Sequence, residues 1–333
     1  MVAVRPLLKR GMLVAAANWQ VTAIQSAADS IFKLLIAVPT VGGVVFLALM
    51  IGAEPEGLLS MDARDLLATV VAALLSQPLV LAAFGLSLAV VVGGGSAFMF
   101  LVKAGTIATL VESERLPAPV PEHDDPHDPL AHMAAAATFG VDRFFADCRR
   151  FFPRYTRLGL LLLAVYAASA GLFLAAGVAV AGTGGLAAGA MLSAGFVVWV
   201  TVINLIYLLA QIVIVAEDRP VLDALRQVAR AGRTEWRSVA AIFVVVLAIV
   251  AVGTVVSIVA MGALSLIGFV PLFGLTVLPL QVAAWLFRAL VFEFIELSAV
   301  GAYANRFRAA REAAARAGVP LQAQAPADAR ATP

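Results

Sequence analysis

The chain has 333 residues, 62% of them hydrophobic and 13% charged, with a formal net charge of +2. Soluble domains carry about 45–50% apolar and about 25% charged residues, so this composition excludes an ordinary soluble domain and predicts an integral membrane protein. Cys148 is the only cysteine, which excludes an internal disulfide and a thiolate metal cage.

At the start of the chain, Arg5, Lys9 and Arg10 precede the apolar stretch GMLVAAA. That run is short for a signal peptide, and Asn18 and Gln20 interrupt it. The segment therefore reads as a basic amphipathic helix at the cytoplasmic surface, within a cytoplasmic N-terminal segment at 1–30. Asn18, Thr22, Gln25, Asp29 and Lys33 follow at helical spacing and share one face. A helix needs ~20 apolar residues to cross the hydrocarbon core, and Ile31–Ile51 suffices alone. Lys33 is then expected at the cytoplasmic boundary, with Asp29 as its i, i+4 partner. The other reading, a polar lining inside the bilayer, requires this first span to sit deeper.

Six windows are long and apolar enough to span: 31–51, 79–102, 158–180, 190–216, 238–263 and 280–303. The expected fold class is all-α: a polytopic membrane bundle of six transmembrane helices, occupying residues 31–317, with cytoplasmic amphipathic helices. The sixth window has two readings, Leu280–Tyr303, which is favoured, or Pro271–Phe287. Between the first two spans, MDARDLLATVVAALLSQP predicts a short interfacial helix closed by Pro78. Nearly all Lys and Arg residues fall on one side of this layout, and the opposite side offers Arg64 alone. The positive-inside rule then puts both termini in the cytoplasm.

The cytoplasmic linker at 112–137 holds His123, His127 and His132 among Asp124, Asp125 and Asp128. Imidazole and carboxylate ligands suit a divalent ion, but the spacing matches no standard zinc motif. A flexible acidic linker is the expectation, and no cofactor is expected. The Ala/Pro-rich stretch 318–333 reads as a disordered tail.

Two stretches read as helices lying in the cytoplasmic interface. The first, at 138–157, has Phe144, Cys148, Phe151 and Tyr155 on one face and Arg143, Arg150, Arg154 and Arg157 on another, with Pro153 marking the joint to the next span. The second, at 219–236, carries Arg226, Arg230, Arg233 and Arg237 as one basic stripe. These Arg side chains are expected to contact lipid headgroups, or else a partner protein. A nucleic-acid partner is not expected, since no nucleic-acid fold signature accompanies the stripes.

Small residues recur at Ala181, Gly185, Gly189 and Ser193, and at Gly253 and Ser257, a spacing that lets helices approach closely in lipid. Gly93, Gly94 and Gly95 predict a kink or hinge. Ionisable residues at membrane depth are costly, and are paired or functional. Arg288, Glu293 and Glu296, with Asp29 and Lys33 and the amides Asn204 and Gln211, form the candidate intramembrane polar site. An internal ion pair is the simplest role for the charges; a proton or solute relay is the functional one. No Walker loop, HExxH or nucleophile elbow is present, so no catalytic residue is assigned.

The segment IVIVAEDRPVLDALRQVARAGRTEWRSVAAIFVVVL is similar to the span–acidic residue–short helix–Arg/Trp–span unit of certain bacterial six-helix membrane proteins. These include the membrane domain of glycerophosphodiester phosphodiesterases. The likeness covers about residues 205–250. In those phosphodiesterases a separate soluble barrel performs catalysis, and the residues for one are lacking here, so the resemblance implies the membrane architecture and not the activity. The expected function is a membrane component without its own catalysis, transport-related or envelope-organising. A permease subunit, working with other membrane subunits or an ATPase, is the alternative, and an intramembrane enzyme ranks last.

Overall fold

The computed structural model describes residues 4–51, 78–116, 129–183, 185–234, 236–268 and 274–316. Among the described residues the chain is helical, in the order α1 (Val4–Ala17), α2 (Trp19–Ile51), α3 (Pro78–Arg115), α4 (Pro129–Ala136), α5 (Val141–Thr183), α6 (Leu186–Glu217), α7 (Val221–Thr234), α8 (Trp236–Gly268) and α9 (Gly274–Arg316). Five of these are long and apolar enough to cross a membrane: α2, α3, α5, α6 and α8. The expected sixth crossing falls on α9, where Arg288, Glu293 and Glu296 interrupt the apolar run. The segment at 61–77, His123 and His127, and the tail from residue 317 lie outside the described residues. Nothing is described of the His132 side chain either.

The long helices outreach a bilayer. α5 and α9 each have 43 residues, or about 64 Å of rise, against a hydrocarbon core of about 30 Å. Counting about 20 residues from the Ile51, Pro78, Thr183, Leu186, Gly268 and Gly274 ends stops near Ile31, Phe98, Leu163, Ile206, Ala248 and Phe294. Burial changes character at the same levels. On one side, Leu34, Val38, Leu86, Val90, Leu172, Val197, Val252 and Phe287 are exposed apolar residues, as lipid-facing helices require. On the other side lies a continuous core containing Val14, Leu110, Phe151, Tyr155, Ile212, Ile214, Val228, Ile242, Val300 and Tyr303. The molecule thus has a loosely associated apolar layer and a tightly packed layer beneath it. Of the described chain ends, Val4 packs against this core, and Arg316 ends α9 beyond Phe307, the last residue packed against it.

Several expectations change. α5 runs unbroken through Pro153, so 141–157 continues the axis of the following span and does not lie flat as a separate interfacial helix. Its aromatic face is satisfied by protein instead of lipid: Phe144, Cys148, Phe151 and Tyr155 are buried. α3 passes through Gly93–Gly95 without interruption and extends to Arg115, into the expected linker. α1 packs one face against protein, where Arg10, Gly11, Val14, Ala15 and Ala17 are buried, and leaves Arg5, Pro6, Lys9 and Met12 exposed on the other. The stripe at Gly185 and Gly189 has open space around both glycines. Close approach occurs elsewhere. A Cβ on Gly11 would lie 2.1 Å from the Ser298 carbonyl oxygen, and one on Gly301 would lie 2.9 Å from the Gly11 Cα. The backbones of α1 and α9 therefore cross in direct contact.

The polar stripe that opens α2 is also turned inward. Asn18, Thr22 and Gln25 are buried, whereas Trp19 and Ile31 are exposed. Asn18 occupies the break between α1 and α2. Its Nδ2 donates to the carbonyl oxygens of Val14 at 2.9 Å and Ala136 at 3.2 Å, and to Ser113 Oγ at 3.3 Å. Its Oδ1 accepts from the backbone N–H groups of Thr138 at 2.9 Å and Phe139 at 3.1 Å. One amide thereby fixes α1, α2, α3 and the turn into α5.

Two outcomes follow from this packing. Gly11→Ala destabilises the protein by about 2–3 kcal/mol because the α1–α9 crossing cannot absorb a methyl group, whereas Gly94→Ala, with nothing within 4 Å of its added Cβ, does not destabilise it. Chemical unfolding of the detergent-solubilised protein compares the two. Asn18→Ala strands several buried partners and costs at least about 2 kcal/mol; equal stability to the parent in the same assay would show that the amide is dispensable.

Candidate functional site

At the junction of the two layers, α2, α3, α6, α8 and α9 enclose a cavity of ≈ 850 Å³. Helical spacing builds each wall. α2 contributes Gln25, Asp29 and Lys33; α3 contributes Met99 and Lys103; α6 contributes Thr201, Asn204, Leu208 and Gln211. Phe243, Val246, Leu247 and Val250 form an apolar strip on α8, and α9 supplies Trp285, Arg288, Phe292, Glu293, Glu296 and Tyr303. All seven residues of the candidate polar site, Asp29, Lys33, Asn204, Gln211, Arg288, Glu293 and Glu296, line this one space.

The ionisable residues divide into paired and unpaired. Lys33 Nζ lies 2.5 Å from Asp29 Oδ2, the expected i, i+4 pair. Lys103 Nζ lies 2.9 Å from Glu296 Oε1. Lys103 reads from sequence only as the residue that ends a span; its reach to α9 becomes evident from the fold. Glu293 has a different environment. The residue is 8% exposed, and its Oε1 has no hydrogen-bond partner among the described residues. Arg288 has no ion pair among the described residues; its guanidinium sits 5.4 Å from the centroid of the Phe292 ring. The amides also differ. Asn204, which lines the cavity, accepts at Oδ1 from the Tyr166 hydroxyl at 2.5 Å. Gln25 Oε1 accepts from Thr106 Oγ1 at 3.1 Å, while its Nε2 is buried without a partner. The site therefore retains one guanidinium and one carboxylate whose bonding capacity the protein does not use.

The Arg residues expected at lipid headgroups take several roles. Arg150 Nη2 lies 2.7 Å from Asp218 Oδ2, and Arg154 pairs with the other oxygen of the same carboxylate. Arg143 Nη2 lies 3.0 Å from Glu112 Oε1, and Arg226 pairs with Asp223 at 3.0 Å. Arg237 lies over the Trp236 ring. Arg157 and Arg233 are exposed. Arg230 has a partner interaction as well. On α7, Val221, Ala224 and Val228 pack into the core, so its apolar face is covered by protein. Among the described residues no group of three or more His, Cys, Asp or Glu could hold a metal ion.

Asp218 is the one non-glycine residue with positive φ among those described, at 51°, and it caps the end of α6. Asp tolerates this left-handed conformation better than most residues. Partial burial works against its charge, but the hydrogen bonds and charges of Arg154 and Arg150 prevail and hold its carboxyl below the usual carboxylate range.

No protein-family model, curated protein or solved structure matches this chain.

The Asp218 clamp has a defined pH signature. A carboxylate whose folded pKa is depressed contributes stability above its unfolded pKa, near 3.9, and loses it as pH falls through the lower folded value. Because the pair is about half exposed, its contribution is below about 1 kcal/mol. Asp218→Asn is expected to lower the melting temperature slightly at pH 7 and to leave it unchanged near pH 2.

Proposed function

We propose that this protein is a non-catalytic component of a bacterial cytoplasmic membrane that binds a polar or charged small molecule in a chamber opening to the cytoplasmic side. In this reading α9 makes the sixth crossing, both termini are cytoplasmic, and the packed layer projects into the cytoplasm. The carrying observation is the ≈ 850 Å³ cavity with six ionisable side chains, of which Glu293 and Arg288 form no ion pair among the described residues. Ion pairs serving only to hold helices together need no such space and leave no buried polar oxygen unmatched, because a buried polar group without a partner costs stability. Retaining one is a characteristic cost of a binding site. Pockets with an apolar lining and a few convergent polar groups are also the usual form of small-molecule sites. A role in transport accords with the placement of the chamber at the membrane boundary.

Cysteine labelling tests the chamber directly. Cys148 is buried and shielded from the reagent, and a Cys148→Ala background, which adds no buried hydroxyl, removes it from the readout. In that background, Asn204→Cys reacts with a membrane-impermeant maleimide in inside-out vesicles, whereas Val198→Cys, in the exposed apolar stretch of α6, does not. Equal labelling of both, or protection of a correctly folded Asn204→Cys protein, would overturn the reading of a water-accessible chamber.

A further inference from the structure

We propose that the ligand of this chamber is a phospholipid of the adjacent leaflet carrying both a phosphate and a primary ammonium group, a phosphatidylethanolamine-type headgroup. The inference rests on the chamber reading above and specifies its ligand. Three observations carry it.

The first is depth. The level at which burial changes, near Ile31, Phe98, Ile206, Ala248 and Phe294, is where a count of about 20 residues puts the hydrocarbon boundary, and the cavity is built around it. Lys33 and Glu293 lie within one helical turn of that level, about 5.4 Å, and Lys103 lies about 7.5 Å from it. A headgroup in the same leaflet therefore approaches the site from the side, with no need to leave its layer.

The second is lining. The wall presented by α8 is wholly apolar, and the exposed surface of Leu247, Trp285 and Phe287 continues it toward the lipid-facing side. A water-soluble metabolite gains nothing from such a strip; an acyl chain does. Burying one methylene contributes about 0.8 kcal/mol, so even a short stretch of chain contributes substantially to affinity.

The third is the order of the unused charges. Lys33 and Asp29 neutralise one another, as do Lys103 and Glu296. Arg288 and Glu293 remain. They sit five residues apart on α9, with Arg288 toward the apolar layer and Glu293 toward the packed layer, a rise of about 7.5 Å. In this leaflet, a phospholipid places its phosphate on the acyl side and its ammonium on the aqueous side. That is the order of the guanidinium and the carboxylate. Arg is suited to phosphate because its planar fork donates two parallel hydrogen bonds. The buried Oε1 of Glu293 accepts from an N–H, and a primary ammonium offers three where a quaternary one offers none.

The test is a lipid titration of the purified full-length protein in detergent, followed by native mass spectrometry. The probes are palmitoyl-oleoyl phosphatidylethanolamine, the matching phosphatidylcholine and phosphatidylglycerol, and soluble O-phosphoethanolamine. Phosphatidylethanolamine is expected to bind about tenfold more tightly than either other lipid, the scale of one hydrogen-bonded charge. Glu293→Gln is expected to abolish that preference while leaving phosphatidylglycerol binding unchanged. Arg288→Gln is expected to weaken all three lipids. Glu293→Gln preserves side-chain length and Arg288→Gln shortens the side chain by two atoms, and a cooperative melting transition near that of the parent establishes that each variant is folded. If a variant fails that criterion, Glu293→Asp replaces Glu293→Gln and Arg288→Lys replaces Arg288→Gln, with the preference for ethanolamine again the readout. Equal binding of the three lipids, or a preference that survives Glu293→Gln in the folded variant, overturns the proposal. If O-phosphoethanolamine binds as tightly as the intact lipid, the ligand is a soluble zwitterion: the chamber reading stands and the lipid assignment fails. If no probe binds and Asn204→Cys is also unreactive, the chamber reading itself has failed.

Discussion

Helices of 32 to 43 residues in a hydrocarbon layer that needs only ~20 must leave that layer, and everything else in this structure follows from where they do so. Outside lipid, the same apolar sequence faces water and has to be covered. α6 and α8 remain apolar past the boundary, and there Leu209, Ile212, Ile214, Val239 and Ile242 become buried against neighbouring helices. Within the apolar layer no hydrophobic force acts between helices, because lipid tails are as apolar as the side chains they would replace. Exposed Val, Leu and Ile residues on α5 and α8 are the expected consequence. Two different solvents thus produce two packing regimes along single, uninterrupted helices.

The packed layer needs its own means of fixing register, since apolar burial is not directional. Three polar arrangements supply it. Asn18 joins three helices and a turn through one amide. Arg10 and Glu114 form a nearly inaccessible ion pair at 3.3 Å, with side chains 1% and 2% exposed, and Arg308 approaches the same carboxylate at 3.8 Å. Arg115 donates to the Ala216 carbonyl oxygen at 2.8 Å, satisfying one of the acceptors left open at the end of α6. A buried ion pair adds little net stability over a well-packed apolar pair, but losing one member costs about 3–5 kcal/mol. Such a pair penalises misregistered arrangements of α1, α3 and α9 more than it rewards the correct one. The Gly11–Gly301 crossing acts in the same direction, since only that alignment lets the two backbones touch.

Much of this organisation is legible in the amino-acid sequence, and the exceptions share a cause. Hydropathy and helical periodicity locate the apolar helices, and the spacing of Asp29 and Lys33 predicts their ion pair. The seven candidate polar residues stand out as ionisable or amide groups in apolar surroundings, and the structure brings them to one cavity. What periodicity cannot supply is the solvent on each face. The Phe and Arg faces of 141–157 satisfy the pattern of an interfacial helix equally well whether lipid or α3 receives the aromatics, and α5 carries Pro153 in its interior despite a local cost of about 3 kcal/mol. Likewise, Gly185 and Gly189 repeat at the spacing of a packing motif but meet nothing, whereas Gly11 and Gly301 carry no local repeat and form the tightest crossing. Contacts between distant segments leave no mark in local spacing, which is also why Lys103 reads as a span terminus and not as the partner of Glu296.

The same boundary accounts for how the ionisable cluster is tolerated. At the bilayer centre a charged side chain costs several kcal/mol or more, and such residues persist there only when paired or hydrated. At the junction of the two layers the cost falls, because the cavity leaves the side chains of Lys103 and Glu296 partly accessible. Glu296 illustrates this: its side chain remains 44% accessible although its helix is surrounded by other elements, and it still reaches Lys103 on α3. Pairing two of the three cations with two of the three carboxylates brings the site near neutrality without filling it. A third pair placed in contact would have closed the cavity and completed an ion network. Instead Arg288 and Glu293 are held apart by the helix that carries both, on a rigid element whose five-residue separation neither side chain can shorten. The backbone thus holds the two Cα atoms about 7.5 Å apart along the axis of α9, and their side chains meet the cavity at different depths.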